Sequence, residues 1–290
     1  MDAPQRLNIP VTGGELAAFR LGDPAAPPII AVHGITSNSR AWVAVARALA
    51  GSAQLVAVDL RGRAASNALP PPYGTAAHVK DTIALLDTLG LERAVLVGHS
   101  LGGYIVARLA ADHPDRVERI VLVDGGLTIP GVETLDPQTF ADAFLGPAIA
   151  RLRMTFPTPA AYFEWWQQHP AIGGGQVAAE DLAEYVGHDL TGTEPELRHA
   201  PNEAAVRADA GELAELGTHA HRLTTPAHLL CAERGLQNEP NPMQPMAVAE
   251  AWAAEDPGRR HATFVPDINH YTITLSERGA GIVAEAIRGT

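Results

Sequence analysis

The sequence predicts an α/β protein: a mostly parallel sheet with helices on both faces, interrupted by an inserted helical segment. Three observations carry this. Short apolar runs rich in β-branched residues alternate with helical patterns over the first 125 residues. The alternation stops after Asp124 and resumes near residue 226. The stretch between them lacks strand runs. Strand, helix, strand repeated gives βαβ units, which build parallel sheets covered on both faces.

The elements follow in order. Residues 5–22 read as an antiparallel hairpin turning at Gly13-Gly14. Runs 28–33 (PIIAVH), 54–59 (QLVAVD), 94–98 (AVLVG) and 119–124 (RIVLVD) read as buried strands, each bounded by turn formers. Residues 39–50, 75–89 and 100–112 lie between them as helices. The last two place Ile83 with Leu86, and Ile105 with Leu109, at helical spacing. Residues 127–222 read as helices and loops, with prolines recurring from Pro130 to Pro201. Strand runs return at 226–231 (PAHLLC) and 260–266 (RHATFVP), and a helix over 277–287 closes the chain. The expected division is a core of residues 1–126 and 223–290 carrying an insertion of residues 127–222.

The 290 residues are 46% apolar and 19% charged, a globular composition. Net charge is −12. That disfavours nucleic acid and anionic membrane surfaces, because phosphate contacts need clustered cations. No apolar run reaches the ~18 residues needed to span a bilayer. MDAPQRLNIP shows no basic and then apolar leader, so the expected location is cytoplasmic. The lone cysteine, Cys231, excludes an internal disulfide and a cysteine-rich zinc module. Within a strand run it is expected to be buried and inert.

Gly98-His99-Ser100-Leu101-Gly102 fits G-x-S-x-G at a strand-to-helix junction, the context of a nucleophile elbow. A turn that sharp strains the serine backbone, and small residues at 98 and 102 avoid the clash. The hydroxyl then stands above the sheet, at a helix N-terminus that favours negative charge. A serine hydroxyl is a weak nucleophile at neutral pH and needs a base, which needs an orienting acid. Of twelve histidines, His270 lies just after the last strand run and before the closing helix. That is where the chain order Ser, acid, His puts the base.

The acid has two candidates. A turn of the form Gly-x-x-Asp after the penultimate strand would supply it, but that turn reads Ala232-Glu233-Arg234-Gly235. Glu233 remains as one candidate there. Asp124, at the end of the strand after the nucleophile helix, is the other. Neighbouring parallel strands deliver their carboxyl ends to one rim, so Asp124 can reach the same histidine. Triad geometry favours Asp124, with Glu233 as the alternative. An oxyanion hole needs two backbone N–H groups aimed at one point. Leu101, after the nucleophile, and Ile35, in the His33-Gly34-Ile35 loop, are the expected donors.

The order strand–HG, DLRG, GHSLGG, VLVD, helical insertion and NHY resembles the α/β-hydrolase fold superfamily over nearly the whole chain. The resemblance implies an α/β-hydrolase fold with an inserted helical cap, Ser100 as nucleophile, His270 as base, and Ile35 and Leu101 as oxyanion donors. Residues 59–66 (DLRGRAAS) look like D-x-R-G-x-G-x-S with Ala64 in place of the second glycine. In its acid the chain is similar to one subgroup of haloalkane dehalogenases and to fungal zearalenone lactonases, which place the acid where Asp124 stands. Ser100 in place of a carboxylate nucleophile argues against dehalogenase and epoxide-hydrolase chemistry.

These residues predict a serine hydrolase acting on an ester or lactone through an acyl-enzyme. A second reading keeps the triad and changes the bond, giving a C–C hydrolase, thioesterase or acyltransferase. A third is a ligand-binding member of the fold without turnover, which fluorophosphonate labelling would separate from an enzyme. Of fifteen aromatic residues, Phe140, Phe144, Phe156, Tyr162, Phe163, Trp165 and Trp166 crowd into 27 positions of the insertion. They suggest an apolar pocket over Ser100 and a bulky, largely apolar substrate rather than a small or charged one, with Phe156, Tyr162, Trp165 and Trp166 as lining. The plainer reading makes them the insertion's own core. No cofactor or metal is expected: no dinucleotide fingerprint follows the first strand, and His219-x-His221 lacks a third ligand at recognisable spacing. The expected partner is a small molecule; oligomeric state is not encoded in any motif.

Overall fold

A computed structural model describes residues 3–131 and 137–289. The opening hairpin is β1 (Gln5–Val11) and β2 (Gly14–Leu21), antiparallel, with Val11 opposite Gly14. Then come β3 (Pro28–Val32), a 3-10 turn at Ser39–Trp42 running into α1 (Val43–Leu49), β4 (Gln54–Val58), α2 (Thr75–Thr88), β5 (Ala94–His99), α3 (Leu101–Asp112) and β6 (Val117–Val123). After the intervening segment follow β10 (Ala227–Arg234), α8 (Met246–Ala254), β11 (Arg260–Asn269), α9 (Thr272–Leu275) and α10 (Glu277–Arg288).

One eight-stranded sheet has the order β1-β2-β4-β3-β5-β6-β10-β11. From β4 to β11 it is parallel; β1 and β2 run antiparallel at one edge. Strand residues alternate between faces, as the period of two requires. Ile30, Val32, Leu96, Leu122 and Leu229 pack under α2, α3 and α8. Ile29, Ala31, Val97, Val121 and Leu230 pack under α1, α9 and α10. The mostly parallel sheet with helices on both faces is thus the expected fold.

Two local differences have clear causes. Residues 267–269 lie beyond the expected strand run of 260–266 but continue β11. The register of β10 on β11 shifts between Ala232 and Arg234, and Asp267 adopts φ 59°, so a bulge absorbs Pro266 and pairing resumes at Arg234–Asn269. The segment between β6 and β10 also holds more than helices. It carries α4 (Pro137–Leu152), β7 (Thr155–Phe156), α5 (Pro159–Gln167), α6 (Ala179–Gly187), β8 (Leu190–Thr191), β9 (Leu197–His199) and α7 (Glu203–Leu216). β7, β9 and β8 form a small antiparallel sheet. These strands are two or three residues long, too short to show a period.

The DLRGRAAS segment ties this layer to the core. Asp59 accepts from Ser39 N, Ala65 N and His188 Nε2. Arg61 makes a bidentate pair with Asp81 of α2 at 2.8 Å. Arg63 pairs with Asp209 of α7, which also meets His78. Although burial alone would raise it, Arg63 and His78 hold the Asp209 carboxyl down at about 2. Ala64, where a glycine was expected, has φ 38°.

Candidate active site

The carboxyl ends of the parallel strands deliver the singled-out residues to one rim. Ser100 sits between β5 and α3 with φ 54° and ψ −120°, strained for any residue with a side chain. The flanking glycines have a steric reason. A methyl on Gly98 would lie 2.1 Å from the Gly102 carbonyl oxygen, and one on Gly102 would lie 2.0 Å from the Val32 carbonyl oxygen. Gly125 is equally constrained, since its methyl would meet Ser100 O at 2.4 Å.

His270 follows β11, and its Nδ1 lies 2.6 Å from Asp124 Oδ2. Asp124 is wholly buried, has φ 46°, and accepts the Ala232 N–H on its other oxygen at 3.0 Å. Glu233 is turned to another task. Its carboxylate accepts the Asp267 N–H at 2.7 Å, bracing the bulge in β11. Ser100, His270 and Asp124 line one cavity.

Gly34 brings the loop after β3 against the serine; a methyl there would lie 3.6 Å from Ser100 Oγ. Ile35 lines the cavity, while Leu101 is buried at the start of α3 directly after Ser100. His33 fixes this loop. The Leu60 N–H donates to its Nε2 at 3.0 Å, so Nδ1 carries the proton and donates to Gly34 O at 2.7 Å. Burial lowers its pKa to about 4 and keeps it neutral. His99 donates from Nε2 to His270 O at 2.8 Å, and their rings lie 4.6 Å apart. Burial and the adjacent His270 push His99 well below the usual histidine range.

The insertion contributes walls, but not the expected ones. Phe156, Tyr162 and Trp166 are buried in a separate cluster with Tyr185, Leu182 and Ile172. Trp165 lines an outer groove that shares Pro147, His169 and Gln237 with the main cavity. The expectation that these four line the pocket is therefore corrected: large rings of one short helix, α5, and its neighbours bury best against each other. The side chains of Phe140 and Phe144 lie outside those described. The cavity is instead walled by aliphatic residues such as Ile129, Leu145 and Leu213, and by Arg151, His169 and Tyr185. Sequence reasoning missed Arg151. Its signal was spacing: Leu145, Ala148 and Arg151 stand three apart on one face of α4, a lone cation on an otherwise apolar stripe.

Cys231 is buried, and burial raises its thiol to about 12, so it is unreactive. His221 pairs with Glu255, and His219 contacts Leu216 O. Among the described residues no cluster of His, Cys, Asp and Glu could hold a metal, and no helix is long and apolar enough to cross a membrane.

Known proteins agree with this geometry at the level of fold. An uncharacterized protein of Mycobacterium tuberculosis is 33% identical over 189 residues, 65% of this chain and 52% of the relative. A lipase of the same organism is 34% identical over 140 residues, 47% of this chain and 53% of the lipase. The chain thus spans about half the length of these curated relatives. The solved structure of an E-2-(acetamidomethylene)succinate hydrolase superposes with a TM-score of 0.81 at 22% identity, covering 99% of this chain and 98% of that one. An α/β hydrolase from Novosphingobium aromaticivorans gives 0.76 at 20% identity, covering both chains fully. The family model for the alpha/beta hydrolase fold matches residues 27–190, more than half of the chain, and the protein belongs to that family.

Proposed function

We propose that the protein is a serine hydrolase cleaving an ester or lactone with a largely apolar body, through Ser100, His270 and Asp124. One observation carries the reading. A serine strained at a strand-to-helix turn shares a cavity with a histidine whose far nitrogen lies 2.6 Å from a buried carboxylate. In this reading residues 127–222 are a cap over Ser100.

Ser100 Oγ attacks the carbonyl carbon as its proton passes to His270 Nε2. The Asp124 carboxylate fixes the imidazole tautomer and balances the imidazolium. The Ile35 and Leu101 N–H groups hold the oxyanion. The ester C–O bond then breaks, and the leaving alkoxide takes the proton from His270. Water, deprotonated by His270, attacks the acyl carbon; the acyl C–Oγ bond breaks, His270 returns the proton to Ser100 Oγ, and the acid leaves. A lactone follows the same steps and yields one hydroxy acid.

The test combines fluorophosphonate labelling with p-nitrophenyl esters of graded length and a lactone panel. Ser100→Ala is expected to abolish labelling. Ser100→Ala and His270→Ala should each remove most turnover, and the double variant little more, because triad members act as one unit. Near-parental kcat in Ser100→Ala would overturn the mechanism.

A further inference from the structure

Five arginines are buried among the described residues, and one of them lacks a carboxylate partner there. Arg40 pairs with Glu184 and Arg260 with Glu255. Arg61 has Asp81 and Arg63 has Asp209 as carboxylate partners. Arg151 is only 1% exposed, yet among the described residues no carboxylate lies within ion-pair distance of it. Its hydrogen-bond acceptors are both neutral. Nε meets His199 Nδ1 at 3.4 Å, and Nη2 meets Thr36 Oγ1 at 3.2 Å. The guanidinium lies 4.6 Å over the Trp166 ring. A buried cation without a counterion is costly, and a guanidinium has five N–H donors to satisfy.

The side chain is held from behind. Because His199 Nδ1 accepts from Arg151, its proton is on Nε2, which meets Asp189. Tyr162 OH donates to the same Asp189 oxygen at 3.2 Å. The nearest acid in this chain of contacts is thus separated from Arg151 by a neutral imidazole. His199 and Trp166 fix the guanidinium, and both Arg151 and its partner Thr36 line the catalytic cavity.

We propose that Arg151 receives a carboxylate of the substrate, so that the ester or lactone carries one free carboxylate on its apolar body. This rests on the hydrolase reading above and narrows its substrate class. A planar fork matches a carboxylate with two parallel hydrogen bonds. A single negative charge fits, because Arg151 is the only lysine or arginine lining the cavity among the described residues. His169 adds no charge at neutral pH, being lowered to about 4 by burial and by Arg151. Thr36 directly follows Ile35, so the carboxylate would bind beside the proposed oxyanion loop.

Matched substrates test this. Half-ethyl esters of succinate, adipate and suberate carry a free carboxylate; the diethyl esters of the same acids do not. For at least one chain length, kcat/KM is expected to favour the half-ester by about tenfold to a hundredfold, the worth of a buried charged hydrogen bond. Arg151→Met should collapse that ratio towards one, chiefly through KM, and Arg151→Lys should retain part of it. Binding of the same pairs to Ser100→Ala, by isothermal titration, reads recognition without turnover. Preference there with no hydrolysis in the parent protein would sink the hydrolase reading and keep the anion site. Equal affinity for half-ester and diester at every length, or an unchanged ratio in Arg151→Met, would overturn the proposal.

Discussion

Exchanging Asp124 for asparagine alters one atom and sets the two candidate acids against each other. The asparagine oxygen can still accept the Ala232 N–H that Asp124 accepts at 3.0 Å, so the β6–β10 junction should hold. The other end changes. Asp124 Oδ2 lies 2.6 Å from His270 Nδ1, where an amide NH2 would now donate instead of accept. His270 must then leave Nδ1 bare and carry its proton on Nε2, where it can no longer take one from Ser100. Loss of the tautomer is worth roughly 10⁴ in kcat, or about 5.4 kcal/mol of barrier. Glu233→Gln serves as the counterpart. Its amide oxygen can still accept the Asp267 N–H, so kcat should fall less than about twofold. Both are read as steady-state kcat on a p-nitrophenyl ester at pH 7, beside a thermal melt that certifies the fold. The reasoning fails if folded Asp124→Asn keeps more than a tenth of the parental kcat, or if Glu233→Gln loses more than Asp124→Asn.

Three further outcomes follow from the packing. Ala64 holds φ 38°, so Ala64→Gly should stabilise the protein by about 1 kcal/mol in urea melts; an unchanged or lower midpoint would remove strain from the account. His33 is lowered to about 4 in the folded state against 6.5 unfolded, so between these values only the unfolded chain takes its proton. Stability from this group is complete above pH 6.5 and falls by up to about 3 kcal/mol as pH drops towards 4; urea midpoints that stay level between pH 7 and 5 would contradict it. Trp166 is fully buried among Tyr185, His169, Tyr271 and Arg151, so Trp166→Ala should cost about 3–5 kcal/mol of stability, and a change confined to KM would return it to the pocket wall.

What the sequence made legible was whatever its neighbours in the chain determine. Strand runs such as QLVAVD announce themselves because both faces of a parallel strand are buried. Gly98 and Gly102 announce the elbow because their missing methyl groups would strike Gly102 O and Val32 O. Asp124 required one step more, the knowledge that adjacent parallel strands end on one rim, and Glu233 could be set aside only once its bond to Asp267 N was visible. The insertion resisted because a helix there has two apolar neighbours, its own layer and the cavity, and composition does not say which one a ring will face. The aromatic residues Phe156, Tyr162 and Trp166 went to the layer. Their aromaticity was read as a pocket signal, when bulk and mutual complementarity drive rings together first. The cavity kept the aliphatic stripe of α4 and the arginine that interrupts it. A cation on such a stripe is expensive to bury, and where none of the described carboxylates pairs with it, the charge is the more telling sign of what the cavity receives.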